Sequence, residues 1–212
     1  MAGIRRKLGP LQEAKIAAET ADITLMVSTL PQTLQGVRDR ALILVGFAGA
    51  FRRSELVGLD IEDVAIKRQG LLLTIRHSKT DQEGAGQTIG IPRGQHKGTC
   101  PVRALEAWIA QSGVVDGPLF RSINRHGQVR HTRLTGTSVA LIVKRAAAAA
   151  QLDPDLYAGH SLRSGLATSA AAAGVDERKI MQQTRHRSVR QVRKYIQDGE
   201  LFRNNAAGSV GL

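Results

Sequence analysis

Gly159-His160-Ser161-Leu162-Arg163-Ser164-Gly165, followed by Arg185-His186 and then by Lys194-Tyr195-Ile196, are the stretches whose reading decides the chain. His186 stands twenty-three residues after Arg163, and Tyr195, one of only two tyrosines, stands nine residues after His186. Each residue type suits attack of a tyrosine hydroxyl on a phosphodiester. Arginine grips phosphate oxygens with a rigid fork, histidine moves or shares protons, and tyrosine supplies the nucleophile. A helix is expected to begin at or just after His160 and to run through the alanine-rich stretch to Gly174. His160 and Arg163, three apart, then share a face at the helix start, where the macrodipole favours an anion. A further helix is expected from near Asp176, and a last one from near Ser188. The last carries Val189, Val192, Tyr195 and Ile196 on or beside its apolar stripe, with Arg187, Arg190, Arg193 and Lys194 around it.

Working outward, helical spacing of Ile23, Val27 and Leu30 predicts a helix over 22–30, stopped by Pro31, and a second helix is expected from about Leu34 to Gly49. The second is nearly continuously apolar from Ala41, as suits the central helix of a core. Ser54 to Leu59 reads as a short helix with Ser54 at or near its N-cap, which places Arg52 and Arg53 at the turn. The period then changes to two. Val64 to Ile66, Leu71 to Ile75 and Thr88 to Ile91 predict a three-stranded antiparallel sheet, with Lys79 in the turn-rich loop between its last two strands. Pro101 opens a helix with Val102, Leu105 and Ile109 on one face and Gly113 as its stop. Trp108 lies near that face and is expected to pack in the core. A loop carrying Arg121, Arg125, Arg130 and Arg133 leads to a helix from near Thr137 to Ala150. The fold class is therefore α+β, mainly helical, with a small three-stranded antiparallel sheet.

The 212 residues suffice for one compact domain, here 20–212, with 1–19 read as a basic linker or arm around Gly9-Pro10. Thirty basic against 18 acidic side chains give a formal charge of +12, spread over several segments, so a polyanion is the expected partner. Nucleic acid fits better than a membrane, because no segment carries an interfacial amphipathic stripe. Aromatics make up only 3%, too few for the stacking platforms of a single-strand binder, and double-stranded DNA is the natural target. The single cysteine, Cys100, excludes an intrachain disulfide framework. With no signal-peptide pattern and no membrane-length apolar run, the chain reads as cytoplasmic and, through DNA, nucleoid-associated. No paired Cys/His spacing suggests a metal and no glycine loop suggests a nucleotide, so the expected cofactor set is none.

In these boxes the chain resembles the tyrosine recombinase or phage integrase family, over nearly its whole length, and its C-terminal half looks most like the Cre recombinase branch. The family's first-arginine box matches Ala50-Phe51-Arg52-Arg53-Ser54-Glu55-Leu56, its hairpin lysine Ser78-Lys79-Thr80, its His-x-x-Arg box 159–165, and its last box Arg185-His186 through Tyr195. The resemblance implies site-specific DNA recombination, by strand cleavage and rejoining through a 3′-phosphotyrosyl intermediate with a free 5′-hydroxyl. It makes Arg52, Lys79, His160, Arg163, His186 and Tyr195 the catalytic candidates. Arg52 and Arg163 would hold the phosphate, His186 would add a hydrogen bond, His160 would take the tyrosine proton, and Lys79 would protonate the departing 5′-oxygen. Glu55 would orient the active-site cations; it reads equally as a first-turn helix acid. The resemblance also implies a homotetramer on DNA, with a monomer expected without it; the larger departure from the family is the expected absence of its helical N-terminal domain, which completes a clamp around DNA. One departure from the pattern is Arg185, where the family usually has Gly before the histidine, a substitution expected to crowd the turn.

Three other readings stay open. A type IB topoisomerase shares the tyrosine chemistry, a DNA-binding regulator would need only the charge and the helices, and a metal-dependent nuclease would use Asp60, Glu62 and Asp63. Arg121, Arg130, Arg133, Arg187 and Arg190 are candidates for DNA-backbone contacts, with plain solvated charge as the other reading. Tyr157 is the competing nucleophile, but it precedes the helix and is expected to pack beside His160. Leu201 and Phe202 are candidates for an anchor on a neighbouring protomer.

Overall fold

The computed structural model describes residues 15–76, 86–186 and 188–200, without the side chains of Gln191 and Glu200. Among them the order is α1 (Thr20–Ser28), α2 (Leu34–Ala48), α3 (Arg53–Gly58), β1 (Val64–Ile66), β2 (Gly70–Ile75), β3 (Gln87–Pro92), α4 (Pro101–Ser112), β4 (Arg121–Ile123), β5 (Val129–Arg133), α5 (Gly136–Ala149), α6 (Ser161–Ala172), α7 (Glu177–Thr184) and α8 (Val189–Glu200). The mainly helical α+β reading and its three-stranded sheet are borne out.

The apolar run that begins at Ala41 makes α2 the central helix. Ala41 to Val45 are all buried, and α4 and α6 pack on it. Thr33 starts the helix by accepting a hydrogen bond from the Gly36 amide at 3.3 Å. Trp108 of α4 is fully buried as expected, and its indole N–H donates to the Leu119 carbonyl at 2.8 Å, so burial leaves no polar atom stranded. The sheet runs β1-β2-β3, antiparallel throughout, with Leu71 opposite Ile91, Leu73 opposite Ile89 and Ile75 opposite Gln87. Period-two alternation turns Leu71, Leu73 and Ile75 to the core and leaves Leu72 exposed. Lys79 belongs to the connection 77–85, outside the described residues.

Two expectations change. The Arg121 to Arg133 segment is not a plain loop but an antiparallel hairpin, β4 with β5, turning at Gly127 with φ of 79°. Ser54 does not cap α3: the N-cap is Arg52, whose amide donates to the Glu55 carboxylate at 2.9 Å. Both changes come from polar side chains that bond within the molecule instead of following an apolar period.

Among the described residues, the buried apolar side chains form two clusters. The large one joins α1, α2, the sheet, α4, α5 and Leu162 of α6. The small one, Ala167, Ala171, Ile180 and Val192, lies where α7 and α8 meet the other part of α6, with Tyr195 and Ile196 packed against it. Two glycines permit the close approaches that bring the elements around α6 together. A Cβ at Gly165 would lie 1.8 Å from the Ala18 carbonyl oxygen, and one at Gly199 would lie 2.4 Å from that of Thr168. The chain before α1 and helix α8 can therefore both press on the α6 backbone.

Candidate active site

Five of the six sequence-predicted catalytic candidates converge where the start of α6 meets the α2–α3 turn and the α7–α8 segment; the sixth, Lys79, lies outside the described residues. Arg163 is the most deeply set, 1% exposed. Its Nη1 donates to the Ala50 carbonyl at 2.8 Å, across 113 residues of sequence. Its Nη2 is buried with no hydrogen-bond partner. A buried donor left unpaired costs free energy, and an arginine fork fixed on one side with its other nitrogen open is suited to an anion. Burial, then the charges of Arg52 and Arg185, bring the Arg163 pKa down to about 10, so the group stays cationic at neutral pH.

Arg52, partly exposed, ends the turn after α2, and its Nη1 bonds Glu55. Glu55, 3% exposed, is surrounded by donors: the Arg52 amide, the Arg52 guanidinium, and Arg185 Nη2 at 3.0 Å. Burial pushes its carboxyl up, but the Arg52 amide and the two guanidinium groups outweigh that and hold it below its ordinary value. Glu55 is thus a charged anchor for two cations, which is more than a first-turn helix acid.

Tyr195 approaches from α8. Its hydroxyl lies 3.1 Å from His160 Nε2, and its ring centroid lies 5.8 Å from that of His186. Burial raises the Tyr195 pKa, against the pull of Arg163 and with the push of Asp198. The stabilisation of phenolate that Arg163 offers is therefore outweighed by burial in this state, which favours removal of the proton by a base. Burial, then Arg163 and Arg52, lower the His160 pKa, so its imidazole tends toward the neutral form that accepts a proton.

His186 Nδ1 lies 2.8 Å from Thr184 Oγ1, and that hydroxyl lies 2.7 Å from the Ile180 carbonyl, to which only it can donate. A hydroxyl has one proton, so Nδ1–H donates to Thr184 and the neutral ring has its lone pair on Nε2. Burial, then Arg163, Arg52, His160 and Arg185, lower the His186 pKa to about 4. Only the imidazolium could give an Nε2–H to a phosphate, and a bound anion is what would favour that form.

Arg185 does not crowd its turn. It occupies the left-handed region, with φ of 56°, where glycine is usual, and its side chain runs inward to bond the Gly49, Ala50 and Gln183 carbonyls and Glu55. The Ala50 carbonyl, itself at a positive φ of 45°, is a meeting point the sequence reading missed. The adjacent box offered the signal, since a turn between two arginine-bearing segments must present carbonyls somewhere.

The peripheral candidates divide. Arg121, 5% exposed, spends its donors on the Pro118 and Asp116 carbonyls, the Asp116 carboxylate and His131, and Arg133 caps the end of α3 through the Val57 and Leu59 carbonyls while pairing with Asp60. Both are tied into the fold, which argues against a backbone-contact role. Arg130 and Arg190 are exposed, and Arg187 lies outside the described residues, as do Leu201 and Phe202. The acids of the nuclease reading are occupied too: Asp60 pairs with Arg133 and Arg76, Asp63 with Arg76, and Glu62 accepts the Gly117 amide. Tyr157 is 4% exposed in the large core, and burial together with Asp22 pushes its hydroxyl up to about 12. It lines a cavity of about 850 Å³ together with His160 and Tyr195.

Residues 19–200 match the model of the phage integrase family. The chain belongs to the phage integrase family. It is 45% identical over 207 residues to an integrase/recombinase XerD homologue of Selenomonas ruminantium, covering 97% of this chain and 61% of that one. It is 27% identical over 218 residues to the tyrosine recombinase XerC of Myxococcus xanthus, covering 92% and 66%. The chain thus spans less than two thirds of the length of these relatives. Its fold matches that of the XerH site-specific recombinase, solved as a post-cleavage complex with its difH substrate, at a TM-score of 0.70 and 18% identity, over 93% of this chain and 54% of that one. It also matches the XerA recombinase, at 0.66 and 19%, over 89% and 61%. These relatives are of Xer type, and the finer placement in a Cre-like branch gains no support from them. No helix among the described residues is long and apolar enough to cross a membrane.

Proposed function

We propose that this chain is the catalytic part, 20–212 with a basic arm before it, of a site-specific recombinase that cleaves and rejoins double-stranded DNA through a phosphotyrosyl bond at Tyr195. The observation that carries the reading is the Tyr195 hydroxyl, 3.1 Å from His160 Nε2 and in the field of a buried Arg163 whose Nη2 is unpaired. Family membership supports it, and the named relatives are recombinases.

In this mechanism Arg163 Nη2 and Arg52 take the non-bridging oxygens of the scissile phosphate and stabilise the charge that grows in the five-coordinate transition state. His160 Nε2 accepts the Tyr195 proton as Oη attacks phosphorus. The bond to the 5′-oxygen breaks as the new P–O bond forms, and Lys79 protonates the leaving oxygen. One phosphoester replaces another, so no nucleotide is consumed, and the freed 5′-hydroxyl reverses the step on the same or a partner strand. His186 enters as imidazolium, donating through Nε2 once the phosphate is bound. The partners are double-stranded DNA and three further copies of the chain on it, with a monomer off DNA and a place on the nucleoid in the cytoplasm.

The test is a nicked duplex that traps the covalent adduct, drawn from a pool of flanking sequences and run on denaturing gels with and without EDTA. An EDTA-resistant adduct that disappears in Tyr195→Phe while DNA binding persists is the expected result. Binding with no adduct on any substrate would point to the DNA-binding regulator.

A further inference from the structure

Arg185 is the charged side chain whose bonds touch the supports of both phosphate-gripping arginines. Its four terminal N–H positions meet four acceptors: Nη1 bonds the Gly49 carbonyl at 2.9 Å and the Gln183 carbonyl at 2.8 Å, and Nη2 bonds the Ala50 carbonyl at 2.8 Å and Glu55 Oε2 at 3.0 Å. Ala50 is the carbonyl that fixes Arg163, and Glu55 is the carboxylate that holds Arg52. The side chain is 5% exposed, and its guanidinium carbon lies 5.3 Å from the centre of the Phe51 ring. Its Nε is buried without a partner, but both terminal nitrogens are used internally on this buried side chain, so the fork that would grip a phosphate is already engaged.

We infer that Arg185 is a positioning residue, a buried planar clamp that fixes the Ala50 carbonyl and the Glu55 carboxylate, and through them the spacing of Arg163 and Arg52. The inference rests on the proposed cleavage chemistry for its importance, but its geometric content stands apart from it. A carbonyl oxygen has two lone pairs, and at Ala50 each is taken by one guanidinium, so the two arginines are set relative to one another by a single atom. His186, the third residue proposed to meet the phosphate, is the next residue in the chain after the left-handed Arg185. A left-handed residue with a Cβ is disfavoured, and glycine would meet the backbone need alone; the bonds of the side chain are what an arginine there adds. Lysine would keep the charge and some of the bonds but lacks the planar fork that spans carbonyl and carboxylate at once.

The experiment compares wild type, Arg185→Gly and Arg185→Lys by two readouts. The first is NMR of the Arg52 and Arg163 side-chain Nε–H groups in the free protein. The second is single-turnover adduct formation at saturating nicked duplex, with the DNA dissociation constant measured separately. In Arg185→Gly the guanidinium signals shift or broaden, and cleavage slows roughly 10- to 100-fold while binding changes less than about threefold, because misplacement acts on the transition state more than on DNA affinity. Arg185→Lys falls between the two. Unmoved Arg52 and Arg163 signals, or wild-type cleavage in Arg185→Gly, overturn the inference. If wild type forms no adduct, the functional reading fails and the guanidinium signals alone decide the clamp. If Arg185→Gly does not fold, the same two criteria apply to Arg185→Lys.

Discussion

The arginine platform and the tyrosine helix are built on different foundations. Arg163, Arg52 and Arg185 are fixed by bonds to the α2–α3 turn and to Glu55, whose neighbours Phe51 and Leu56 belong to the large core. Tyr195 rides on α8, held by a satellite of four buried aliphatic residues, the Gly199 approach to α6, and one exposed ion pair from Arg193 to Glu177. A smaller buried apolar cluster means a lower free energy of local opening than a large core gives. On the proposed chemistry, the arginines that would hold the phosphate are anchored on the large core, and the tyrosine that would attack it sits on the smaller cluster.

The largest effects should come from breaking the platform at its centre. Arg163→Ala removes the only deeply buried phosphate donor proposed here and is expected to slow adduct formation by roughly a hundredfold to a thousandfold at saturating DNA. Loss of DNA binding with an unchanged cleavage rate would contradict the assignment. On the other side of the comparison, Gly199→Val puts a branched side chain where even a Cβ would meet the Thr168 carbonyl oxygen at 2.4 Å. Amide hydrogen exchange should then quicken through α8 while α2 stays protected, and cleavage should fall with DNA affinity nearly intact. Equal loss of protection in α2 would show that the two regions are one unit.

A smaller contrast separates arginines of the β4–β5 hairpin. Arg121→Ala leaves the Asp116 carboxylate and two carbonyls without their donor and should cost about 2 kcal/mol of stability without changing the salt dependence of DNA binding. Arg130→Ala should do the reverse, reducing the slope of log affinity against log salt by about one with stability unchanged. Urea unfolding and binding titrations across salt read both.

A further effect is in pH. His186 has a folded pKa of about 4 against an ordinary 6.5, and the His160 pKa is lowered as well. Between those values the unfolded chain binds more protons than the folded one, so this contribution is present above pH 6.5 and is lost as pH falls through the folded pKa. The urea midpoint should decline from pH 7 to pH 4, less steeply in His186→Gln. An identical decline in that variant would remove His186 as a cause.

The platform and the helix also differed in how far the sequence disclosed them. Local signals carried far: the spacing of His160, Arg163, His186 and Tyr195, the period of α2 and the alternation of β2 were readable because each is set by nearby residues. The hairpin β4–β5 was not, since Val129 to Arg133 is exposed on nearly every residue and has no apolar face to alternate. Nor was the difference among the arginines. Whether a guanidinium meets solvent or a carbonyl depends on contacts such as Arg163 to Ala50 and Arg185 to Glu55, more than a hundred residues apart, for which no local period exists. Arg185 was legible as a departure and illegible as a clamp for that reason.

Peptide mapping of the trapped adduct by mass spectrometry tests the central claim most directly. The expected result is a nucleotide joined through its 3′-phosphate to Tyr195 on the peptide that holds it, absent in Tyr195→Phe. Linkage to Tyr157, or to any serine, or an adduct that survives in Tyr195→Phe, would contradict it.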